Sequence, residues 1–308
     1  MRLVTIKQYG KEIGALRLKE GILPLHTVNE HYQTQWKETI LELIQSQELN
    51  TFIKWIQSKE DLKDLKLLDE KDVIFAPIYR KPPHIFGIGL NYPKHCKDIG
   101  SDAPDGFPGS FFKEPEILIG PKESIQLPNL KEAQRTTAEA ELGIIIGKTC
   151  RDISEKNWLE VVAGYVAILD MTEESILKGN DYLKGNSRYL TLVKNFPTFF
   201  SLGMELITSD EIQDIEQIEV QSVYNQNIYA SNIVKNMIHK PSKLVALHSK
   251  IQGWYAGDIL MTGTPRAFEI HEGDLAECRI KGFNDFDPLP LVNPVIKGGK
   301  KNVSWIKR

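Results

Sequence analysis

From residue 84 onward the chain is a succession of short apolar runs, each closed by glycine, proline or asparagine. The runs are His84–Gly89, Glu116–Ile119, Leu142–Ile146, Gly164–Asp170, Ile218–Val223, Asp258–Met261 and Leu275–Ile280. Runs of this length between turn residues are too short for helices and read as strands, so strands dominate this part of the chain. Two helices interrupt it. One follows Asp152 or Ser154 as N-cap through Trp158 and Val161, and one starts at Pro241 and continues through Leu244, Val245 and His248. The pattern predicts a strand-rich α+β domain.

The first 75 residues differ. Short strands are expected around Leu3–Gly10, Ile13–Leu18 and Gly21–Leu25. Two helical stretches follow, with Trp36, Ile40, Leu43 and Ile44 on one face and Phe52, Trp55 and Ile56 repeating the spacing. Residues 59–72 are charge-rich and read as surface. The proline-bearing stretch Ala76–Pro83 marks a boundary, because proline fixes φ and removes a ladder donor. The expected organisation is a small N-terminal α+β domain over 1–75, a linker over 76–83 and a main domain over 84–308.

Composition narrows the function. The chain has 308 residues, 38 basic and 41 acidic side chains and a formal net charge of −3, with 41% apolar residues. That balance leaves no electrostatic footprint for nucleic acid, and the basic tail Gly299–Arg308 reads as a solvated terminus. The longest apolar run, Val161–Leu169, is far short of a bilayer span, and the first residues carry no apolar leader. Three distant cysteines, Cys96, Cys150 and Cys278, fit a reducing compartment rather than a disulfide framework or a zinc ribbon.

Four clusters could carry chemistry. In Glu139-Ala140-Glu141, at the head of Leu142–Gly147, residues two apart on a strand share a face, so both carboxylates point the same way. Two close like charges repel unless a cation compensates, and a hard ion such as Mg²⁺ or Mn²⁺ suits oxygen ligands. The plain alternative is a solvated strand edge. Asp170 closes the apolar run Gly164–Leu169 and could be a third carboxylate, or could merely cap the next turn. In the segment Gly89–Asp98, His95 and Asp98 are neighbours on a helical turn. A carboxylate beside imidazole raises its basicity, as a general base requires, although a lone histidine is more often a packed or surface residue. The Gly87-x-Gly89 here lacks the third glycine of a dinucleotide fingerprint. Finally, in Gly257–Pro265, the backbone N–H groups around Gly263 and the Thr264 hydroxyl could hold a carboxylate or oxyanion, unless the segment is an ordinary strand exit.

Taken together, Gly89–His95 (GLNYPKH), Phe111–Pro115 (FFKEP), Glu139–Gly147 (EAELGIIIG), Val162–Thr172 (VAGYVAILDMT), Val193–Gly203 (VKNFPTFFSLG) and Gly257–Pro265 (GDILMTGTP) resemble the fumarylacetoacetate hydrolase family over about residues 84–303. The resemblance implies a mixed β-sandwich roll, a cytoplasmic homodimer, and a Mg²⁺, Mn²⁺ or Ca²⁺ ion held by Glu139, Glu141 and Asp170. It implies His95 with Asp98 as the base, Lys194 as a substrate-holding lysine, Lys113 as a lysine near a mobile loop, and Gly263 with Thr264 at the substrate. The leading expectation is metal-dependent hydrolysis of a C–C bond in an acylpyruvate-like 2-oxo acid. The alternatives are decarboxylation or isomerisation of a 2-hydroxy-diene dioate or oxaloacetate-like acid, and a metal-binding homologue without catalysis. The partner is a small-molecule 2-oxo acid, with no membrane and no nucleic acid.

The chain departs from the family pattern around the expected substrate shell. Glu174 stands where an arginine is usual, Ala230 where a glutamine is, and Pro197 where a carboxylate is. Asp98 is one methylene shorter than the usual glutamate, and 282–294 replaces a glycine-rich closing motif. An unusual substrate with a polar or cationic tail near Glu174 is one explanation, and lost catalysis is the other.

Overall fold

The computed structural model describes residues 1–98, 100, 102, 104, 106–178, 189–283 and 286–299. The tail from Lys300, including its basic residues, lies outside the described residues, as does part of the 282–294 segment. Among the described residues the chain forms two sheets. The larger is mixed. Its main path runs Gly21–Pro24, Lys11–Leu18, Arg2–Gln8, Glu205–Thr208, Val162–Glu173, Thr136–Ile146, Ile259–Met261, Ile85–Gly89 and Gly109–Lys113. The smaller contains Asn227–Ile233, Glu219–Tyr224, Leu275–Lys281, Leu291–Lys297 and Ile125–Leu127. Glu219–Tyr224 and Leu275–Lys281 lie against the two long central strands of the larger sheet. The result is the strand-rich α+β fold that the sequence pattern predicts, arranged as the roll that the resemblance implies.

The centre of the molecule is the antiparallel pair Thr136–Ile146 and Val162–Glu173. Both strands run longer than the apolar runs that announce them. The Thr136–Glu141 half mixes polar and small residues, yet all but one of its residues are buried, because the second sheet covers it. All of Val162–Glu173 is buried. Asp170 therefore lies inside a strand, paired with Glu139, and does not cap a turn. Two glycines permit close packing here. A Cβ on Gly143 would meet Ile168 Cδ1 at 2.3 Å, and one on Gly164 would meet the Ile207 carbonyl oxygen at 2.1 Å.

The N-terminal segment is stitched into the same sheet. Arg2–Val4 pair with Glu205–Ile207, and Thr5–Lys7 pair with Ile74–Ala76. Within the proline-bearing stretch Ile78 and Tyr79 are buried, and Arg80 bonds both Glu12 and Glu123. Three helices, Leu25–Tyr32, Ile40–Gln45 and Leu49–Gln57, cover this end of the sheet. Thr39 caps the second by accepting from the Glu42 N–H, and the apolar faces around Ile40, Leu43, Phe52 and Ile56 join the main core. The first of the three is not visible in the apolar spacing. The stretch after Ser154 is a 3-10 turn, Glu155–Val161, rather than an α-helix, whereas Pro241 does open a true α-helix, Pro241–Ile251. No helix among the described residues is long and apolar enough to cross a membrane.

Candidate metal centre and its lysines

Strand register builds the cluster. Glu139 sits directly opposite Asp170 in the antiparallel pair, and Glu141 is two residues along on the same face. Cross-strand and i+2 neighbours on one face lie roughly 5–7 Å apart at Cβ, which lets three carboxylates converge. One oxygen from each of Glu139, Glu141 and Asp170 lies within 4.8 Å of the others. Asp170 and Glu141 are fully buried and Glu139 nearly so. The reading of Glu139 and Glu141 as a solvated edge is thus excluded.

Two buried lysines answer this charge. Lys113, at the end of its strand, donates to Asp170 Oδ1 at 2.5 Å. Lys194, which follows the short Leu190–Val193 turn, donates to Asp170 Oδ2 at 2.5 Å and to Glu139 Oε2 at 3.0 Å. Asn195 ties the two lysine segments together, since its amide donates to Phe112 O and its carbonyl accepts from the Glu114 N–H. Thr172, two residues past Asp170, donates to Glu139 Oε1 at 2.8 Å.

Among the described residues no lysine pairs with Glu141. Its Oε2 accepts the Gly263 N–H at 2.6 Å. Gly263 reaches it with a φ of +96°, and a Cβ there would strike Asn91 Cβ at 2.8 Å, so only glycine serves. Asn91 fixes this loop further. Its amide donates to the Thr262 and His239 carbonyls, and its carbonyl accepts the His239 N–H.

The electrostatics follow from the count of charges. Among the described residues three carboxylates face two ammonium groups, leaving one negative charge uncompensated. Burial, then the charges of Asp170 and Glu139, hold the Glu141 carboxyl well above the usual range. Burial also opposes ionisation of Glu139, but Lys194 and His95 outweigh it and its pKa falls. The lysines part company. Burial and the neighbouring Lys194 lower Lys113 to about 8, while Asp170 and Glu139 overcome burial and raise Lys194. We take Lys194 as the committed cation of the cluster, because it alone bridges two carboxylates.

The donor set fits a hard divalent cation. Three carboxylate oxygens converge without a competing nitrogen or sulfur ligand, and Glu141, without a cation of its own, is the residue an added positive charge would satisfy.

His95 lies beside the cluster on the Pro93–Asp98 helical turn, 7% exposed, with Nδ1 unpartnered. Burial lowers its pKa and so keeps the imidazole neutral, with Glu139 and Asp98 pulling upward and Lys194 and Arg266 downward. The expected His95–Asp98 pair is not formed. Asp98 Oδ2 instead forms an ion pair with Arg266 Nε at 3.1 Å. Thr264 turns inward on its own loop and donates to Arg266 O. The Gly263 N–H, expected at the substrate, is spent on Glu141. Glu174 is not a free acid, because it pairs with Arg135, and Thr137 also donates to it. Pro197 and Ala230 make no bond to the cluster. Sequence reasoning overlooked Thr172 and Arg266. Thr172 carried a signal, since it shares the Asp170 face two residues on.

A strand-rich roll with three carboxylates on one buried sheet face defines a class of proteins. The model of the fumarylacetoacetate (FAA) hydrolase C-terminal domain matches residues 84–287, and the chain belongs to the fumarylacetoacetate hydrolase family, a family of enzymes. Among curated relatives, the mitochondrial oxaloacetate tautomerase Fahd2a of Rattus norvegicus is 30% identical over 225 residues, 70% of this chain and 69% of the relative. A Burkholderia ambifaria protein, provisionally named a hydrolase, is 34% identical over 181 residues, and the match spans 58% of this chain and 60% of that protein's length. The maleylpyruvate hydrolase of Sphingobium sp. SYK-6, solved with manganese(II) and pyruvate, superposes with a TM-score of 0.76 at 22% identity, covering 97% of this chain and all of that one. The fumarylacetoacetate hydrolase of Exiguobacterium antarcticum gives 0.75 at 24%, covering 96% and 99%. At these identities the two structures show the shared fold.

Proposed function

We propose that the chain enolises a 2-oxo acid beside a divalent cation, Mg²⁺ or Mn²⁺, and that its net reaction is keto–enol isomerisation. The observation that carries this is His95: a buried imidazole with an unpartnered Nδ1, held neutral by burial and adjoining three converged carboxylates. Glu139, Glu141 and Asp170 would hold the ion, which when bound supplies Lewis-acid polarisation of the substrate's oxo group. His95 takes a proton from the carbon beside that group, and the imidazolium so formed gives a proton to the oxygen of the enolate, completing the enol. Lys194 and Lys113 offer positive charge where the negative charge develops. The likeness to the rat oxaloacetate tautomerase supports the same reading.

C–C hydrolysis of an acylpyruvate-like acid is the second reading. It requires His95 to activate water as a base strengthened by a carboxylate, and Asp98, on the same helical turn, is the residue placed to supply it. The homodimer and the cytoplasmic location remain part of the proposal and rest on the resemblance alone.

The test is proton exchange. Protein with Mg²⁺ is incubated with 2-oxobutyrate in D₂O, and the C3 proton signal is followed by NMR. Enolisation predicts metal-dependent loss of that signal, slowed about 100-fold or more in His95→Gln. Release of pyruvate from an acylpyruvate, without such exchange, puts the hydrolytic reading first. Neither outcome with any divalent ion leaves a binding role only.

A further inference from the structure

Arg266 follows Gly263 by three residues, so its Cα lies at most about 11 Å along the chain from the N–H that holds Glu141. Its side chain is 40% exposed, and its guanidinium stands over the Tyr229 ring at 5.1 Å and meets Asp98 at 3.1 Å. Its backbone is fixed from both sides, the carbonyl accepting from the Ser222 and Thr264 hydroxyls. The other cations around the centre among the described residues are engaged differently. Lys113 and Lys194 are buried on the carboxylate cluster, and Arg135 is held by Glu174 and Glu269. Arg266 is thus a partly solvated, oriented guanidinium at the rim, and its carboxylate partner comes from the very turn that carries His95.

We propose that Arg266 selects the substrate, binding the second carboxylate of a dicarboxylic 2-oxo acid in exchange for Asp98. The inference rests on the 2-oxo acid reading above and adds the substrate class to it. A guanidinium presents a planar fork suited to a carboxylate, and the aromatic face of Tyr229 holds that fork in one orientation. The exchange has a consequence for Asp98. Asp98 leaves the guanidinium as the substrate carboxylate arrives, so Arg266 is the specificity residue and Asp98 its internal competitor.

The experiment compares two acids that differ by one carboxylate, 2-oxoglutarate and 2-oxobutyrate. Each is titrated calorimetrically into Mg²⁺-loaded protein and used in the D₂O exchange assay. Wild-type protein is expected to prefer the diacid. Arg266→Gln should lower the diacid-to-monoacid affinity ratio by about 10- to 100-fold, the loss of a hydrogen bond to a charged group, and Arg266→Lys should restore part of it. Asp98→Asn removes the internal competitor and should tighten diacid binding without tightening monoacid binding, a gain no general loss of structure produces. An unchanged ratio in Arg266→Gln, or weaker diacid binding in Asp98→Asn, overturns the proposal while leaving enolisation intact. If the wild-type protein binds and exchanges neither acid, the 2-oxo acid reading itself has failed.

Discussion

Replacing Glu141 by glutamine separates the fold from the metal centre. Glu141 is fully buried, accepts one backbone N–H from Gly263 and faces Asp170 and Glu139 with no cation of its own. Its pKa stands well above the usual carboxylate range, so in the ion-free protein glutamine imitates a side chain that already resists ionisation. The amide oxygen still accepts from Gly263, and the amide NH₂ can donate toward Asp170. Ion-free stability should therefore change by no more than about 1 kcal/mol, a shift in Tm of about 2 °C for a chain of this size. The response to metal should change far more. An ion at 100 times its Kd stabilises the wild-type fold by about 2.7 kcal/mol, or roughly 5 °C. A ligand loss that weakens affinity about 100-fold leaves about 0.4 kcal/mol at the same concentration, under roughly 1 °C. Differential scanning calorimetry of both proteins, with chelator and with Mg²⁺ or Mn²⁺, reads all four values. An unchanged metal response in Glu141→Gln, or a large loss of ion-free stability, would refute the assignment of Glu141 as a ligand held apart from the lysine pairs.

Other consequences are independent of that one. Lys194→Met leaves Asp170 and Glu139 without their shared cation, and should destabilise the ion-free protein by about 3 kcal/mol, with part of the loss recovered on adding Mg²⁺; urea unfolding with and without the ion measures both. Gly164→Ala drives a Cβ against the Ile207 carbonyl oxygen and should cost at least about 3 kcal/mol in the same assay, by separating the strand that carries Asp170 from its neighbour. His248 has its pKa lowered by burial, with Nδ1 on the Leu244 carbonyl and Nε2 on the Ser110 hydroxyl. The unfolded chain therefore binds this proton more readily, so its contribution to stability is complete above about pH 6.5 and declines as pH falls from there toward the depressed folded value. Unfolding measured from pH 7.5 downward should show a shallower decline in His248→Gln than in the wild type, and equal slopes would remove His248 from the acid response.

Much of the site was legible because it depends on strand parity. Glu139 and Glu141 share a face by the two-residue repeat alone, and Asp170 ends a recognisable apolar run. What parity cannot give is register. Only the pairing of Glu139 with Asp170 brings the third carboxylate in, and that pairing is decided by packing along the whole of Val162–Glu173. The polar half of Thr136–Ile146 was also hidden, since residues such as Thr136, Thr137 and Glu141 read as exposed until a second sheet covers them. The same limit explains the missing His95–Asp98 pair. Helical spacing made them neighbours, but Arg266, more than 160 residues away in sequence, outbids the imidazole for the carboxylate. Two further strands, Asn227–Ile233 and Leu291–Lys297, escaped notice because asparagines, Pro294 and alternating exposure obscure their apolar pattern. The charges of the two buried lysines, by contrast, have no sequence signature of their own. Lys113 and Lys194 entered through the family resemblance, and their position on Asp170 is a property of the fold.

The central claim is that Glu139, Glu141 and Asp170 cage a divalent cation. Anomalous diffraction from crystals soaked in millimolar Mn²⁺ tests it most directly. The account predicts a single strong peak within coordination distance, about 2.1 Å, of one oxygen from each of the three carboxylates, with at least one lysine ammonium withdrawn from Asp170. A carboxylate cluster without a peak, its Lys113 and Lys194 contacts undisturbed at that concentration, would contradict it.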